Sequence, residues 1–325
     1  MAIAEQYLDT PAKDATPVAL KHHIIAFGVM VAFFLVAPFF LYPIFLMKAL
    51  CFALFASAFN LLIGYAGLLS FGHAAFLGSA GYVSAYAAKV WGLPPELAIL
   101  LGTGVAAALG LVIGALAIRR QGIYFAMITL ALAQMIYFFC LRAKFTGGED
   151  GIQAVPRGRL FGLLDLNDTL TMYFVVLAIF LGGFLLIYRA IHSPFGQVLK
   201  AIRENERRAI SLGYKAEQYK LIAFVLSAAL AGLAGGTKAI VFQLASLTDV
   251  HWTMSGEVVL MTLLGGLGMV FGPVVGAFIV VSLENYLAQL GAWVTVVQGL
   301  IFVVCVLTFR RGIVGELARV LKKPL

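Results

Sequence analysis

The densest group of charged residues in the chain lies between positions 197 and 220, where nine side chains are acidic or basic. From Val198 to Leu212 the pattern predicts one short helix with a single apolar stripe. The residues of that stripe are Leu199, Ile202, Ala209 and Leu212. Glu204 precedes Arg208 by four positions, which is the favoured order for an ion pair on a helix. We therefore expect the segment either to recognise a partner protein through ionic contacts or to lie at the lipid surface as a solvated loop.

A second stretch, Gly64 to Tyr82, places glycine and polar residues inside an otherwise apolar sequence. Polar or easily broken backbone at membrane depth is tolerated mainly where it faces protein or a water-filled cavity. We interpret the stretch as a candidate lining of a translocation path. The residues assigned to that path are Gly67, Ser70, Gly72, His73, Gly78 and Ser79. His73 is a candidate proton relay or ligand, but the sequence offers it no acidic or histidine partner, which favours a hydrogen bond between helices instead.

A further interruption runs from Thr146 to Asp168 and contains adjacent Glu149 and Asp150. Neighbouring carboxylates rarely converge on one substrate atom, so this pair does not indicate catalysis. A glycine-rich loop on the outer side is more simply a shaped docking surface. The residues assigned to that surface are Thr146, Gly147, Gly148 and Gly151.

The elements that position these residues must lie in a membrane. Hydrophobic residues make up 62% of the 325 positions and charged residues 12%, with a mean hydropathy of +0.99. A water-soluble globule has an apolar fraction nearer ~45–50%. The net charge of +8 does not indicate nucleic acid binding, because the basic residues gather in the connections between apolar runs. Cys51, Cys140 and Cys305 lie inside apolar runs without the spacing of metal ligands, so we expect neither a disulfide nor a metal site.

Nine apolar runs are long enough to cross ~30 Å of hydrocarbon, and a shorter run lies near 254–267. The nine runs are 24–46, 49–66, 71–91, 96–118, 122–141, 170–188, 219–243, 270–290 and 292–309. Basic residues place three connections in the cytoplasm, near 119–120, 189–220 and 310–323. With a cytoplasmic N-terminus, the third connection lies in the cytoplasm only if the 254–290 stretch crosses twice. Ten crossings are therefore favoured over nine. Glycines between 265 and 276 leave a broken or re-entrant helix as an alternative.

The predicted fold is an all-α, polytopic bundle of transmembrane helices with both termini in the cytoplasm. A polar tail of residues 1–23 precedes a transmembrane domain of residues 24–310, and a basic tail of residues 311–325 follows it. The domain contains an outer loop, 142–169, and a cytoplasmic segment, 189–218.

Motifs for nucleotide binding and catalysis are missing. No G-x-x-x-x-G-K-[ST] loop, H-E-x-x-H pair or G-x-S-x-G turn occurs. We therefore expect no enzyme activity and no cofactor in this chain, and an energy source in a partner or a gradient. An ion-coupled secondary transporter is an alternative that needs intramembrane acids, for which only Glu257 and Glu284 are candidates, both near span ends. A membrane-embedded enzyme needs a converging acid, base and nucleophile, and no such group is present in the sequence pattern.

Six blocks carry a family resemblance through their order and spacing: GLLSFGHAAFLGSAGY, RRQGIYFAMITLALAQ, TGGEDGI, SPFGQVLKAIRENERRAISLGY, KLIAFVLSAALAGLAG and GGLGMVFGPVVGA. They resemble the LivM-type inner-membrane permeases of bacterial branched-chain amino acid ABC transporters, over residues 48–315. The resemblance implies a LivH-type permease partner, two cytoplasmic ATPases that bind ATP, a periplasmic binding protein, surrounding lipid and no nucleic acid. It implies leucine, isoleucine and valine as solutes, although relatives of this architecture carry urea, short amides or aromatic acids.

The same resemblance implies that the cytoplasmic segment docks in a groove of an ATPase and transmits its movement. The residues assigned to docking are Gly196, Ala201, Ile202, Arg203, Glu204, Asn205, Glu206, Arg207 and Gly213. ATP binding and hydrolysis in the partners would then drive the bundle between outward-open and inward-open packings.

Overall fold

The apolar runs fold into thirteen α-helices within residues 17–162, 164–287, 293–308 and 312–321, the part of the chain that the computed structural model describes. The helices are α1 Pro17–Val36, α2 Pro43–Asn60, α3 His73–Lys89, α4 Pro95–Ala117, α5 Ile123–Arg142, α6 Thr169–His192, α7 Pro194–Glu204, α8 Glu206–Ser211, α9 Ala216–Phe242, α10 Trp252–Gly265, α11 Gly272–Leu287, α12 Trp293–Thr308 and α13 Gly312–Leu321. Four short strands complete the description: β1 Ile152–Gln153, β2 Arg159–Leu160, β3 Leu164–Asp165 and β4 Leu244–Ala245.

Five helical segments are long and apolar enough to cross a membrane, and two shorter apolar helices accompany them. The long segments are Pro43–Ala66, Pro95–Ala117, Ile123–Arg142, Thr169–His192 and Ala216–Phe242, and the shorter ones are His23–Phe39 and Gly272–Leu287. The all-α, polytopic class predicted from hydropathy is confirmed, and the chain is a multi-pass membrane protein.

The boundary between the first two apolar runs differs from the one predicted at residues 47–48. Residues 40–42 are not helical, and α2 begins at Pro43. Proline suits the first helical position because the N–H that it lacks would be unpaired there. The helix continues past Lys48, which therefore lies inside a membrane helix rather than in a connection. It ends in one turn of π-helix, Leu61–Ala66, which we call the π-turn.

Helix α2 forms the centre of the bundle. In its most apolar window 89% of the residues are buried inside the chain, against 28% for α5. A helix that is apolar on all sides is buried at the core, and α2 packs against α6, α9, α10 and α11. Cys51 on α2 and Cys140 on α5 are each 4% exposed and pack as small apolar residues, as predicted. The side chain of Cys305 is not among those that the structure describes.

Glycines bring α4 and α9 into close contact. A Cβ atom on Gly110 would lie 2.5 Å from the Cβ of Ala228, and one on Gly232 would lie 2.3 Å from the Cβ of Ala106. The small residues thus allow the two backbones to approach closely.

The segment after α9 returns into the bundle before α10 begins. Strand β4 pairs with β1 of the outer loop, and Asp249 and Val250 then reach Gly78 in the middle of α3. Helices α10 and α11 form an antiparallel hairpin, because Gly265 meets Gly272 and Gly276 meets Met261. The segment between α9 and α10 thus contains β4 and one turn of 3-10 helix, Leu247–Asp249. The number of times that the 254–290 stretch crosses the membrane stays a prediction.

The predicted tails differ from the structure at their inner ends. Helix α1 begins at Pro17, so residues 17–23 are helical, and residues 1–16 lie outside the described part. Within the predicted basic tail, residues 312–321 form α13, and Gly312 lies against Gly266 in the loop after α10. Lys322 and Lys323 lie outside the described residues.

Candidate functional site

The cytoplasmic segment is two short helices, so the prediction of one helix from 198 to 212 is wrong. Helix α7 ends at Glu204, and Asn205 adopts an extended conformation with φ −154° and ψ 97°. Its side-chain oxygen accepts a hydrogen bond of 3.0 Å from the backbone N–H of Arg208 and so caps α8. Because Glu204 and Arg208 lie in different helices, the predicted helical ion pair does not form between these described residues.

The predicted apolar stripe is correct for three of its four members. Leu199, Ile202 and Ala209 are buried and face the bundle, whereas Leu212 is 69% exposed beyond the end of α8. Gly196 is buried where α7 turns away from α6, and a Cβ atom there would lie 2.1 Å from the carbonyl oxygen of Ile191. Gly213 has φ +91° just after α8, which is the left-handed conformation expected of a helix-ending glycine.

Arg203 connects this segment to the glycine-rich stretch. Its guanidinium donates a hydrogen bond to the backbone carbonyl of Gly64 in the π-turn. Gly67, the residue that follows the π-turn, has φ +70°. A Cβ atom there would lie 2.9 Å from Cγ of Arg203. Two sites predicted separately, the docking segment and the start of the candidate path, are therefore in direct contact.

The π-turn is held from its other side by the loop between α10 and α11. The amide of Asn60 donates to the carbonyl of Met269 at 2.9 Å and accepts from the N–H of Gly268 at 3.0 Å. The hydroxyl of Tyr65 donates to the carbonyl of Gly268 at 2.8 Å. We call Asn60, the π-turn, Gly268 and Arg203 the cytoplasmic junction. Single π-helical turns occur frequently at functional sites. Sequence reasoning missed Asn60 and Tyr65, and only the glycine cluster around Gly268 signalled the contact.

Glu206 anchors α8 to two other parts of the bundle. Its carboxylate forms an ion pair of 2.6 Å with Lys220 on α9 and accepts a hydrogen bond of 2.7 Å from the amide of Gln121. Lys220 is only 6% exposed, so this pair is largely removed from water. Of the residues assigned to docking, Ile202 is buried, and Arg203, Asn205 and Glu206 form hydrogen bonds or an ion pair within the chain. Arg203 and Asn205 are nonetheless exposed, like Ala201, Glu204 and Arg207.

The residues assigned to the path pack mainly against other helices. Ser70 is fully buried and accepts a hydrogen bond of 3.2 Å from the N–H of Gly72. The ring of His73 is also fully buried, and Nε2 lies 2.9 Å from the hydroxyl of Ser227. Ser227 donates its proton to the carbonyl of Ala58 at 2.5 Å, so the ring nitrogen must donate to the hydroxyl oxygen. His73 is an interhelical hydrogen-bonded residue, which is the reading that its sequence context favoured.

The remaining path residues differ in exposure. A Cβ atom on Gly78 would lie 2.3 Å from Cγ2 of Val250, so this glycine makes room for the segment that re-enters the bundle. Ser79 is 7% exposed and donates to the carbonyl of Phe76 in its own helix. Gly67 is the exposed member of the predicted set. The lining of a path by these residues stays a prediction.

The outer loop is shaped by its glycines. Gly147, Gly148 and Gly151 all have left-handed backbones, with φ of 77°, 62° and 67°. The hydroxyl of Thr146 donates to the carbonyls of Cys140 and Ala143, at 2.5 and 2.6 Å, and so closes the end of α5. A cavity of about 500 Å³ lies beside Gly147 and Gly151.

The carboxylate of Asp168, at the end of the outer loop, has a structural role. Hydrogen bonds from the hydroxyl and N–H of Thr171 lower the pKa of Asp168, which caps α6. Within the described ranges, no three His, Cys, Asp or Glu side chains form a group that could hold a metal ion.

Comparisons with known proteins place the chain in a transport family. The family profile of the branched-chain amino acid transport system permease component matches residues 41–306. The permease protein LivM of the high-affinity branched-chain amino acid transport system of Escherichia coli (strain K12) is 29% identical over 245 residues, which cover 68% of this chain and 58% of that protein. The ribose import permease protein RbsC of Bacillus subtilis (strain 168) is 28% identical over 238 residues, which cover 68% of this chain and 70% of that protein.

A probable branched-chain amino acid permease, LivH of Methanocaldococcus jannaschii, is 31% identical over 121 residues, covering 37% of this chain and 36% of that protein. The chain spans less than two thirds of the length of the LivM relatives that it matches. No solved structure matches it. Because the family profile covers most of the chain, from the start of α2 to the end of α12, the chain belongs to the branched-chain amino acid transport system permease family.

Proposed function

We propose that this chain is the permease subunit of an ABC importer that carries leucine, isoleucine and valine across a bacterial inner membrane. Its partners would be a LivH-type permease, two cytoplasmic ATPases that bind the ATP, and a periplasmic binding protein. The family membership and the likeness to LivM support this assignment. The chain itself would neither bind nor hydrolyse ATP, consistent with the missing phosphate-binding loop.

The observation that carries the proposal is the division of α7 and α8 into an anchored side and a free side. Leu199 and Ile202 are buried against the bundle, and Glu206 is paired with Lys220. On the other side Glu204 and Arg207 are exposed to water. A segment that must transmit force needs this combination, since a loop free on all sides would move without moving the helices.

The contacts at the cytoplasmic junction provide the route for that force. A displacement of α7 would pull on the Gly64 carbonyl through Arg203, and Gly64 belongs to the turn that Asn60 and Tyr65 bind to the loop after α10. Helices α2, α10 and α11 would then move together. Alternating access requires such a discrete rearrangement between two packings rather than a gradual deformation.

The outer loop is the proposed docking surface for the binding protein. Its pairing with β4 and its left-handed glycines give it a defined shape, and Glu149 and Asp150 are exposed on it. Charge reversal there should slow association with the binding protein, since exposed interface charges act mainly on the association rate.

The experiment is a charge reversal on the free side of the segment. Glu204→Lys should weaken co-purification of the ATPases with tagged permease and abolish uptake, because the partner charge is left unpaired, at ~2–5 kcal/mol if that pair is buried. Expression should stay normal because Glu204 is exposed in the free subunit. Glu149→Lys is the matched control for ATPase co-purification alone, since it makes the same change in the outer loop, where only association with the binding protein should slow. Undiminished ATPase binding by Glu204→Lys would refute the docking assignment.

The identity of the solute needs a separate test, because the family relatives include a ribose permease. Calorimetric titration of the cognate binding protein with amino acids, ribose, urea and short amides would decide it. Binding of leucine, isoleucine and valine is expected. An ion-coupled secondary transporter is the alternative, and it would take up solute without any ATPase subunit.

A further inference from the structure

A groove with apolar walls lies between α4 and α6. Both helices are long and apolar enough to cross a membrane, and both pack on α9. The space between them is a cavity of about 780 Å³, to which α9 contributes Leu233. Leu100 on α4 and Ala178 on α6 line this cavity and are exposed on the surface of the bundle. Water finds few polar partners in such a place, so an apolar chain is the occupant that the walls favour.

The hairpin β2–β3 of the outer loop lies at one end of the groove. Leu160 and Phe161 of this hairpin line the cavity together with Glu96, in the first turn of α4. The backbone N–H of Phe161 donates a hydrogen bond of 3.2 Å to Oε1 of Glu96. Along α6 the lining runs from Thr171 to Ile179, which corresponds to about 12 Å of helix. The groove is therefore about two helical turns deep and has an acidic side chain at the end near the outer loop.

Glu96 has an acceptor that the protein does not use. Its second oxygen, Oε2, is buried and accepts no hydrogen bond from any residue in the described ranges. A buried acceptor without a donor costs free energy, and more so when it belongs to a charged group. The terminal torsion of a glutamate side chain is broad, so the carboxylate can turn toward a donor in the cavity. A ligand that suits the groove has an apolar chain with a hydrogen-bond donor, most favourably a cationic one, at one end.

The depth of Glu96 in the membrane matches the head group of a lipid. The ends of membrane-spanning helices lie near the polar interface, and Glu96 is the second residue of α4. An acyl chain that starts at this level ends within the bilayer, as the groove does. A transmembrane helix of another subunit would have to continue past the hairpin at the end of the groove. Its backbone N–H groups would also be bonded within the helix, so they could not serve Glu96.

We propose that this groove binds a phospholipid whose head group carries a primary ammonium, with an acyl chain between α4 and α6 and the ammonium donating to Glu96. A primary ammonium offers three N–H donors, and its hydrogen bonds to a carboxylate are charge-assisted. A trimethylated ammonium has the same charge but no N–H donor, so it cannot satisfy the carboxylate in this way. The bound lipid contacts α4, α6 and the hairpin at once and so supports the shape of the outer loop.

The first test uses the full chain, purified with the subunits that accompany it and placed in a bilayer of equal parts of phosphatidylethanolamine and phosphatidylcholine. A trace of one lipid or the other carries a diazirine on its acyl chain, and peptide mass spectrometry measures labelling after illumination. Labelling of the groove is divided by labelling of the rest of the chain in the same sample. This value should be about tenfold higher for phosphatidylethanolamine, as expected for a hydrogen bond to a charged group.

Two results of this test would overturn the proposal. Equal labelling of the groove by the two lipids would show that the ammonium is not recognised. Labelling by neither lipid would show that another protein chain covers the groove.

The second test changes the site itself. Glu96→Gln should bring the ratio between the two lipids close to one, because the amide keeps the size of the side chain but loses its charge. Glu149→Gln is the matched control, since it makes the same change on an exposed acid that does not line the groove, and the ratio should stay as in the wild type. A wild-type ratio in Glu96→Gln would refute the role of this carboxylate.

A third variant tests the groove without touching Glu96, and it serves even if Glu96→Gln does not fold. Ala178→Phe fills part of the cavity and should lower labelling of the groove by both lipids several-fold. Ala131→Phe places the same side chain on the exposed surface of α5 and should leave that labelling unchanged. Full labelling of the groove in Ala178→Phe would show that no acyl chain lies there.

Discussion

Arg203 and Gly64 are 139 positions apart in the sequence, yet the guanidinium of the first donates a hydrogen bond to the backbone carbonyl of the second. This bond joins α7 to the turn in which the central helix ends. Because the acceptor is a backbone atom, no substitution at Gly64 can remove it selectively. Arg203 is therefore the position at which the connection can be tested.

Replacing Arg203 should separate ATPase binding from transport. Arg203→Met keeps an unbranched apolar stem but loses a charged hydrogen bond, so uptake should fall by roughly tenfold while ATPase binding stays near wild type. Arg207→Met should weaken ATPase binding, and uptake with it, because Arg207 is exposed on the free side of the segment. Pull-down and uptake are measured on both variants. Equal loss of ATPase binding in the two would contradict the internal role of Arg203.

A side chain at Gly67 should impair the protein for two reasons, which a control variant separates. Gly67→Ala places a side chain in a left-handed backbone, at ~1–2 kcal/mol, and also displaces Arg203. Gly92 has a similar φ of +64° but no atom within 4 Å of an added Cβ, so Gly92→Ala carries the backbone cost alone. We expect both variants to lose thermal stability in detergent, and only Gly67→Ala to hydrolyse ATP without importing solute. Normal uptake by Gly67→Ala would show that its contact with Arg203 is dispensable.

Gly78 should tolerate no side chain, because the segment before α10 lies against it. An added Cβ would come within 2.8 Å of the backbone N of Val250, so Gly78→Ala should destabilise the protein by ~1–3 kcal/mol through overpacking. Gly104→Ala, in α4, meets no atom within 4 Å and should be neutral or slightly stabilising. Thermal unfolding of the two purified variants measures the difference. Similar stability would place the re-entering segment elsewhere.

The hydrogen bond between His73 and Ser227 should contribute to stability rather than to proton transfer. Ser227→Ala removes the hydroxyl that accepts the hydrogen bond from the buried His73 ring, at ~1–3 kcal/mol. Ser282→Ala removes only a bond to a carbonyl of its own helix and should change stability by less than ~0.5 kcal/mol. Thermal unfolding and the pH profile of uptake are measured together. A shifted pH profile in Ser227→Ala would return His73 to the role of proton relay.

Features that depend on residues close together in the chain could be predicted from the sequence. Membrane class, the bounds of most helices and the amphipathic character of 194–211 follow from hydropathy and period, because each helix closes its own backbone hydrogen bonds. The division of the predicted 198–212 helix and the earlier start of α2 both have local causes. Asn205 competes for a backbone N–H and so divides the segment, and Pro43 starts α2 earlier than the position of Lys48 indicated.

Only the tertiary structure decided which distant residues meet. Arg203 with Gly64, Glu206 with Lys220 and Lys48 with Glu284 are pairs from different helices, and the last is separated by 236 positions. Nothing in a local pattern states which face of one helix lies against which face of another, because packing is set by the fit of all the helices together. For the same reason Lys48 and Lys238 read in sequence as unrelated bases, although in the bundle both ammonium groups lie near the ring of Phe52.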